Sequence, residues 1–274
     1  MPVRRHRLSL GSRRPYHLLG RRGSVGSAGN GGGGGGDDGG NGGGDGEPSY
    51  AATVMDLGPA AYWRLDDTGG AGSSVALDQT GDYDASYVNL ASENYGQAGP
   101  LIGQASAAVE LDGVDDHIDT GVASVGTGLF AGSGEAFSVT GFAKLTPGDG
   151  GTVIAKAEGS LALRVFQLFV QDGGPVVVLR GSDTAFAVNA ADGAWHHYMI
   201  TWDGSTATFT FDGQQQGAVS VGTAEDTPGQ RILLGARSNG TAFFLRGLLS
   251  EWAIFDRMLS ANERDLLWQR SGRA

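Results

Sequence analysis

An alternation of large apolar side chains with a period of two residues runs through the chain beyond residue 50 and constrains the fold most. It is clearest in the segment 192–204, where both sets of alternate residues carry large groups. That pattern is expected of a strand buried between two packed layers. The two predicted faces are Trp195, His197, Met199 and Thr201, and His196, Tyr198, Ile200 and Trp202.

Turn residues separate this strand from its neighbours. Asp-Gly and Asn-Gly pairs supply the positive φ that tight hairpins require. Short strands joined by such turns over most of a chain predict an all-β sandwich of two antiparallel sheets rather than an α/β fold. Further predicted strands are 137–145, 161–170, 176–180, 207–211, 231–235 and 248–255. The turn pairs are 112–113, 172–173, 192–193, 203–204, 212–213 and 239–240.

One short helix is predicted at the C-terminus. Ser260 and Glu263 have the spacing of a capping box, in which each side chain binds the other residue's backbone N–H. Leu266, Leu267 and Trp268 follow as an apolar group. We therefore expect this helix to pack on one end of the sandwich.

Composition excludes several classes of protein. The 274 residues contain no cysteine, so disulfides, thiolate metal sites and cysteine nucleophiles are excluded. The longest apolar runs are too short for a membrane span. Residues 50–274 carry 12 basic against 26 acidic residues, so we expect this part to repel nucleic acid and anionic membranes.

The N-terminal region differs in kind. Residues 1–28 form a predicted basic, disordered arm that contains seven arginines, and residues 29–49 a glycine-rich linker. Such a linker would span roughly 24 Å as a flexible coil. The arm holds an Arg13-Arg14 pair but lacks the apolar stretch of an export signal. We therefore predict no signal peptide and a single domain over 50–274.

Seven segments follow one another in an order typical of a known family. They are AYWRLDD (61–67), LDQTGDYDA (77–85), GQASAAVELDGVDDHIDTG (103–121), FSVTGFAK (137–144), AWHHYMITWDG (194–204), FTFDGQQQG (209–217) and FLRGLLSEWAIFDRMLSANE (244–263). In this order they resemble the LamG-like family of concanavalin A-like lectin and glucanase jellyrolls, although Phe142 stands where the family usually has tryptophan. The resemblance covers about residues 55–270 and implies a two-sheet antiparallel jellyroll sandwich whose loops bind carbohydrate or a cell surface.

The resemblance also bears on metal binding. Relatives of the fold often hold calcium, and the family usually reads Gly-x-Ile-Asp-Glu where this chain has Ser250 before Glu251. Ser250 brings no charge to such a site. We expect no cofactor and assign no metal ligand, while calcium stays open.

The alternative of a sandwich glucanase rests on Glu110 and Asp112, with Asp115 as a shortened third position. Enzymes of that type place two carboxylates about 5–5.5 Å apart, one as nucleophile and one as acid/base. Because Asp112 and Gly113 read as a turn, we expect Asp115 to point elsewhere. We therefore predict no catalytic residues and no enzyme activity.

Two further groups of side chains are candidates for metal binding. His196 and His197 are adjacent and so lie on opposite faces of a strand, which prevents them from chelating one ion together. We interpret them, with Trp195 and Trp202, as packing residues. Asp112, Asp115, Asp116 and Asp119 are oxygen-rich but lack the spacing of an EF-hand, so a solvated turn is favoured over calcium.

The arrangement of parts suggests a role. A recognition domain behind a basic arm and a spacer, without an export signal, fits a phage virion protein such as a minor tail or decoration protein. The arm would contact a virion protein and the sandwich a carbohydrate or glycosylated surface, with avidity from many copies. The alternative is a secreted or surface bacterial adhesion protein whose true start lies upstream. Location would then be virion or extracellular, and the oligomeric state is open.

Overall fold

The computed structural model describes residues 47–68, 74–121, 136–157, 164–223 and 229–274. The predicted arm and most of the predicted linker lie outside these residues. The described part confirms the all-β sandwich, because its strands form two sheets with antiparallel pairings. None of its helices has both the length and the apolar character needed to cross a membrane.

The longest strand among the described residues, β16 (Arg246–Phe255), lies at the centre of sheet A. Its first half pairs with β5 (Ala107–Asp112) and its second half with β1 (Ala61–Trp63), on the edge opposite β7 (Phe137–Leu145). In sheet order the strands are β14 (Gln214–Val219), β13 (Ala207–Phe211), β12 (His196–Trp202), β7 (Phe137–Leu145), β16 (Arg246–Phe255), β5 (Ala107–Asp112) and β4 (Gln97–Ala98), with β1 (Ala61–Trp63) on β16.

Sheet B forms the second layer. Its order is β11 (Ser182–Ala185), β10 (Gly174–Leu179), β9 (Arg164–Gln171), β8 (Gly151–Ala157), β15 (Leu233–Leu234), β6 (His117–Asp119), β3 (Ala85–Val88) and β2 (Val75–Ala76). The main core lies between the sheets and includes Trp63, Phe166, Tyr198 and Trp252. The inward set of β12 is Tyr198, Ile200 and Trp202, as predicted.

A second core covers the outer face of sheet A. Helix α1 (Tyr50–Asp56) and helix α2 (Ala261–Arg270) pack there on Phe142 and Met199. Strand β12 is therefore buried on both faces, which confirms the prediction for segment 192–204. Helix α2 and its capping box were also predicted, and Ser260 Oγ accepts the Glu263 N–H at 3.4 Å.

Helix α1 was missed, and so was the 3₁₀ helix at Ser92–Asn94. Ser49 caps α1 by accepting the Ala52 N–H at 3.2 Å. Tyr50, Thr53 and Val54 are buried on one side, an i, i+3, i+4 pattern that was present in the sequence. A helix of seven residues offers too short a pattern to stand out beside the strands.

The turn pairs behave in two ways. Asp172-Gly173 and Asp212-Gly213 have positive φ at both residues and close the two-residue hairpins β9–β10 and β13–β14. Arg180-Gly181 closes the β10–β11 hairpin in the same manner without an Asp or Asn to mark it. At 112–113, 192–193 and 203–204 only the glycine has positive φ.

Candidate functional site

The outer face of sheet B holds an open cleft of about 650 Å³. It is formed by β9, β10 and β11 and by the segment that follows β11 as far as Asn189. Phe169 and Val176 supply apolar surface, and Gln171, Asp172 and Asp183 supply polar groups. A concave surface with a few polar side chains is the usual form of a small-ligand site.

Strand alternation explains why these side chains face outward. Phe166, Leu168 and Val170 of β9 belong to the core between the sheets. Phe169 therefore points to the opposite face, and its register partner on β10, Val176, lies beside it. The aromatic floor of the cleft follows directly from the period of two.

A second aromatic ring stands next to this floor. Phe243 is 45% exposed, and its ring centroid lies 6.0 Å from that of Phe169 in a T-shaped arrangement. Its backbone has a φ of +56°, which is unfavourable for a residue with a Cβ. Backbone held in such a conformation costs about 1–3 kcal/mol and concentrates at functional sites.

Backbone contacts fix Phe243 in place. Its carbonyl accepts the Thr152 N–H at 2.9 Å, and the Arg237 N–H donates to Ala242 O at 3.0 Å. Gly151 permits the close approach, because a Cβ there would lie 2.4 Å from the Phe244 carbonyl oxygen. The exposed ring is thus held by the scaffold before any ligand arrives.

The carboxylates considered for catalysis lie on the other sheet. Val109 and Leu111 point into the main core, so Glu110 and Asp112 face the outer side of sheet A, where both are exposed. Asp112 Oδ1 accepts the Val114 N–H at 2.7 Å and the Asp115 N–H at 3.3 Å. Burial is the largest single influence and opposes ionisation, but the backbone N–H groups together outweigh it and lower the pKa of Asp112. Asp112 therefore stabilises the turn that leads to β6.

Three of the four clustered acids come together. Carboxylate oxygens of Asp112, Asp115 and Asp116 lie within 4.8 Å of one another. Asp116 Oδ2 accepts the Asp112 N–H at 3.1 Å, and burial raises the pKa of Asp116. Asp119 pairs instead with Arg231 at 2.8 Å. Three carboxylates are oxygen donors of the kind calcium takes, but fewer than the six to eight ligands it needs.

The two histidines occupy different surroundings, as their alternation predicted. His196 Nδ1 lies 2.7 Å from Asp212 Oδ2, and its Nε2 lies 3.0 Å from Asp192 Oδ1. Burial opposes protonation of His196, but the two carboxylates outweigh it and raise its pKa. His197 lies beneath α2 with Nε2 at 2.7 Å from Thr140 Oγ1, and burial lowers its pKa to about 4.

Sequence reasoning missed the role of Glu251. It lies at the β-bulge of β16 with a φ of +57° and is fully buried. Its carboxylate accepts hydrogen bonds from the Tyr62 hydroxyl and, at 3.3 Å, from Arg64 Nη2. Burial raises the pKa of Glu251, while Arg64 and Tyr62 oppose that rise. Neighbouring Ser250 donates to the Ala107 carbonyl at 2.7 Å, so both residues tie β16 to adjacent strands.

A match to a protein-family model shows which superfamily the chain belongs to. The concanavalin A-like lectin/glucanases superfamily, of laminin G type, matches residues 112–263, which is more than half of the chain. The chain belongs to this superfamily. No curated protein sequence matches it significantly. Within the superfamily's sandwich, the cleft uses sheet B, whereas Glu110 and Asp112 lie on sheet A.

Solved structures of low sequence identity share the fold. Trypanosoma rangeli sialidase in complex with the inhibitor DANA has a TM-score of 0.53 and 13% identity over 76% of this chain and 32% of the sialidase. The chain thus spans about a third of that enzyme. Domain 4 of AbnA, an extracellular arabinanase of Geobacillus stearothermophilus, has a TM-score of 0.52 and 17% identity over 77% of this chain and 98% of the domain. The binding domain of botulinum neurotoxin serotype D has a TM-score of 0.53 and 13% identity over 81% and 52%.

Proposed function

We propose that this protein is a non-catalytic binding module that recognises carbohydrate through the cleft on sheet B. One observation carries the proposal: the uncovered face of a lectin-type sandwich holds an open cleft with an aromatic floor and polar side chains. On the opposite face, α1 and α2 cover the patch around Phe142 and Met199. A ligand therefore has freer access to the centre of sheet B than to the centre of sheet A.

The chemistry of the cleft suits a sugar. The C–H face of a sugar ring packs on an aromatic ring, and Phe243, which is 45% exposed, offers such a ring beside the edge of Phe169 that borders the cleft. The sugar's hydroxyl groups need hydrogen-bond partners once they leave water. Gln171, Asp172 and Asp183 can supply them around that floor.

The similar structures support this choice through the fold alone. Domain 4 of AbnA, which this chain covers almost completely, was solved in complex with arabinotriose. The botulinum neurotoxin D domain is described as a receptor-binding domain. At 12–17% identity, neither transfers a ligand to this chain, because one fold supports many functions.

The absence of catalysis is part of the proposal. Asp112 is bound to the N–H groups of its own turn, and Glu110 lies on the same outer face of sheet A. Neither residue lines the cleft on sheet B. A second candidate function, sandwich-type glycoside hydrolysis by Glu110 and Asp112, would require substrate to bind at that other surface.

A carrier for the module is proposed from the sequence alone. A recognition domain that follows a basic arm and a glycine-rich spacer suits the display of many copies on one surface. We propose a virion surface as the carrier, with a bacterial surface as the alternative. Antibody labelling of intact particles would distinguish them.

A glycan array probed with the full chain tests the binding function. We expect retention of a defined set of glycans and at least a tenfold loss of affinity in Phe169→Ala, which equals about 1.4 kcal/mol. Val114→Ala is a control away from the cleft, since Val114 is 68% exposed and lies in the turn between β5 and β6, and denaturation of Phe169→Ala checks that this variant with its buried ring removed still folds.

Retention that is unchanged in Phe169→Ala would show that the cleft is not the site. Absence of binding to any glycan would end the carbohydrate proposal. New reducing ends released from a bound glycan, and lost in Glu110→Gln, would favour the hydrolase instead.

A further inference from the structure

Arg237 lies beside the cleft and makes no ion pair with any carboxylate of the described residues. Arg237 is 7% exposed, and its Nε and Nη1 make no hydrogen bond within the described residues. Its guanidinium carbon lies 4.1 Å from the centroid of the exposed Phe243 ring. A buried cation without an oxygen acceptor is costly, so its presence at an aromatic surface calls for an explanation.

The surroundings add positive charge. Burial lowers the pKa of Arg237, and the nearby positive charge of Arg164 lowers it further. Arg164 also interacts electrostatically with Asp183 in the cleft, so the arginines and the cleft form one continuous region. An anion placed against Arg237 would relieve both the lost hydration and the repulsion.

A neutral acceptor is missing its partner in the same region. Gln167 lies on β9, two residues before Phe169, and is fully buried. Its Nε2 donates to Thr152 Oγ1 at 3.0 Å, which leaves Oε1 without a donor. The region around Phe243 therefore contains two polar side chains, Arg237 and Gln167, that keep unpaired polar atoms among the described residues.

The other end of the cleft limits where negative charge can go. Asp172 and Asp183 line it, and both are exposed. A polyanionic chain would place further carboxylates against them and be repelled. The favoured ligand has one acidic sugar at one end and neutral sugars beyond it.

From this geometry we infer that the cleft selects glycans whose terminal sugar carries a carboxylate, which pairs with Arg237 while the sugar ring packs on Phe243 and Phe169. This inference rests on the proposed carbohydrate-binding function. It specifies that the ligand is negatively charged and that Arg237 recognises this charge.

Matched glycans on an array test the inference with the full chain. Each pair differs only in the terminal group: glucuronate against glucose, galacturonate against galactose, and a sialylated chain against its unsialylated parent. We expect the acidic member to bind at least tenfold more tightly, and its methyl ester to bind like the neutral member. Equal binding within pairs overturns this inference and leaves the proposed function standing. No binding to any glycan overturns the proposed function as well.

The variant Arg237→Met separates recognition from a structural role and from attraction by the basic arm. Because Nε and Nη1 of Arg237 have no acceptor among the described residues, we expect the melting temperature to stay the same or to rise, while the tenfold preference disappears. The control is Arg246→Met, whose side chain is 62% exposed and lies 3.7 Å from Asp149. A preference that survives in Arg237→Met, or that Arg246→Met loses equally, overturns the inference. If Arg237→Met does not fold, the methyl-ester comparison on the unaltered protein decides.

Discussion

The two outer faces of this sandwich are built from similar strands and end in opposite states. On sheet A, Phe142 is fully buried beneath α1 and makes an edge contact with Tyr50 at 5.6 Å. On sheet B, Phe169 borders an open cleft, and Phe243 beside it is 45% exposed. Two short helices make the difference, because they convert one sheet face into a core and leave the other for a ligand.

Charged groups follow the same division. Under the covered face, buried Glu251 is satisfied within the protein by Tyr62 and Arg64. At the open face, Arg237 keeps two donors without acceptors. If the proposed function holds, stability and recognition draw on opposite faces, and substitutions can be chosen to affect one without the other.

Phe142→Ala should give the largest effect. Removing this fully buried ring leaves a cavity between sheet A and α1, and such truncations cost about 3–5 kcal/mol. Chemical denaturation would measure the loss. Glycan binding by the folded fraction should be unchanged, since the cleft lies on the other sheet. A loss below about 1 kcal/mol would mean that the helices do not form a true second core.

The next largest effect should be a loss of folding stability at low pH, caused by His197 beneath the covered face of sheet A. His197 has a folded pKa of about 4 against an ordinary 6.5, so the folded state resists protonation that the unfolded state accepts. Its contribution is complete above pH 6.5 and declines as the pH falls towards 4, by about 3 kcal/mol in total. Asp212 opposes the shift but does not cancel it. Denaturation of His197→Gln across this range should show a flatter pH dependence, and an identical one would contradict the assignment.

Its neighbour His196 should respond in the opposite direction and less strongly. Its pKa is raised in the folded state because Asp212 and Asp192 outweigh the effect of burial. Its contribution is therefore complete below the unfolded pKa and is lost as the pH rises through the folded one. In His196→Gln, stability between pH 6 and 9 should vary less than in the parent. Equal variation would indicate that the carboxylate contacts do not hold in solution.

Local pattern predicted the strands well. Phe137–Leu145 and Ala207–Phe211 have the predicted bounds, because each alternates cleanly and ends at a turn or a polar break. The opposite faces of His196 and His197 followed from the same period. Predicted strand 231–235 shortens to Leu233–Leu234, where Gly235 adopts a φ of +84°. The predicted C-terminal bound of this strand was too long because the pairing ends before Gly235.

The cleft could not be predicted in this way. Phe169 and Phe243 are far apart in sequence, and only the pairing of β8, β9 and β15 brings them together. The unpaired donors of Arg237 are invisible to any pattern, since they depend on what fails to approach them. Helix α1 was missed because a pattern of one or two turns carries little information beside long alternating strands.

Phe243→Gly should have a much smaller effect on stability than Phe142→Ala. Glycine adopts a φ of +56° without strain, while the lost ring gives up contacts with Phe169 and Arg237. We expect the net change to stay within about 1 kcal/mol and glycan binding to fall at least tenfold. Denaturation and the glycan array measure the two quantities. A large destabilisation would make Phe243 a core residue and remove the contrast between the faces.

Calcium removal should have the smallest effect, and it tests whether the acids at the end of sheet A serve the turn or an ion. Asp112 Oδ1 already accepts two backbone N–H groups, and Asp116 Oδ2 accepts the Asp112 N–H. A ligand that does not bind the folded state cannot stabilise it, so chelation followed by added calcium should shift the melting temperature by less than about 1 °C.

Asp112→Asn should instead destabilise the turn in the presence or absence of calcium, because a neutral amide oxygen accepts these N–H groups less strongly. A calcium-dependent rise in melting temperature that Asp115→Asn abolishes would assign the cluster to a metal, and the acids of sheet A would then share the ligand-binding role that we give to sheet B.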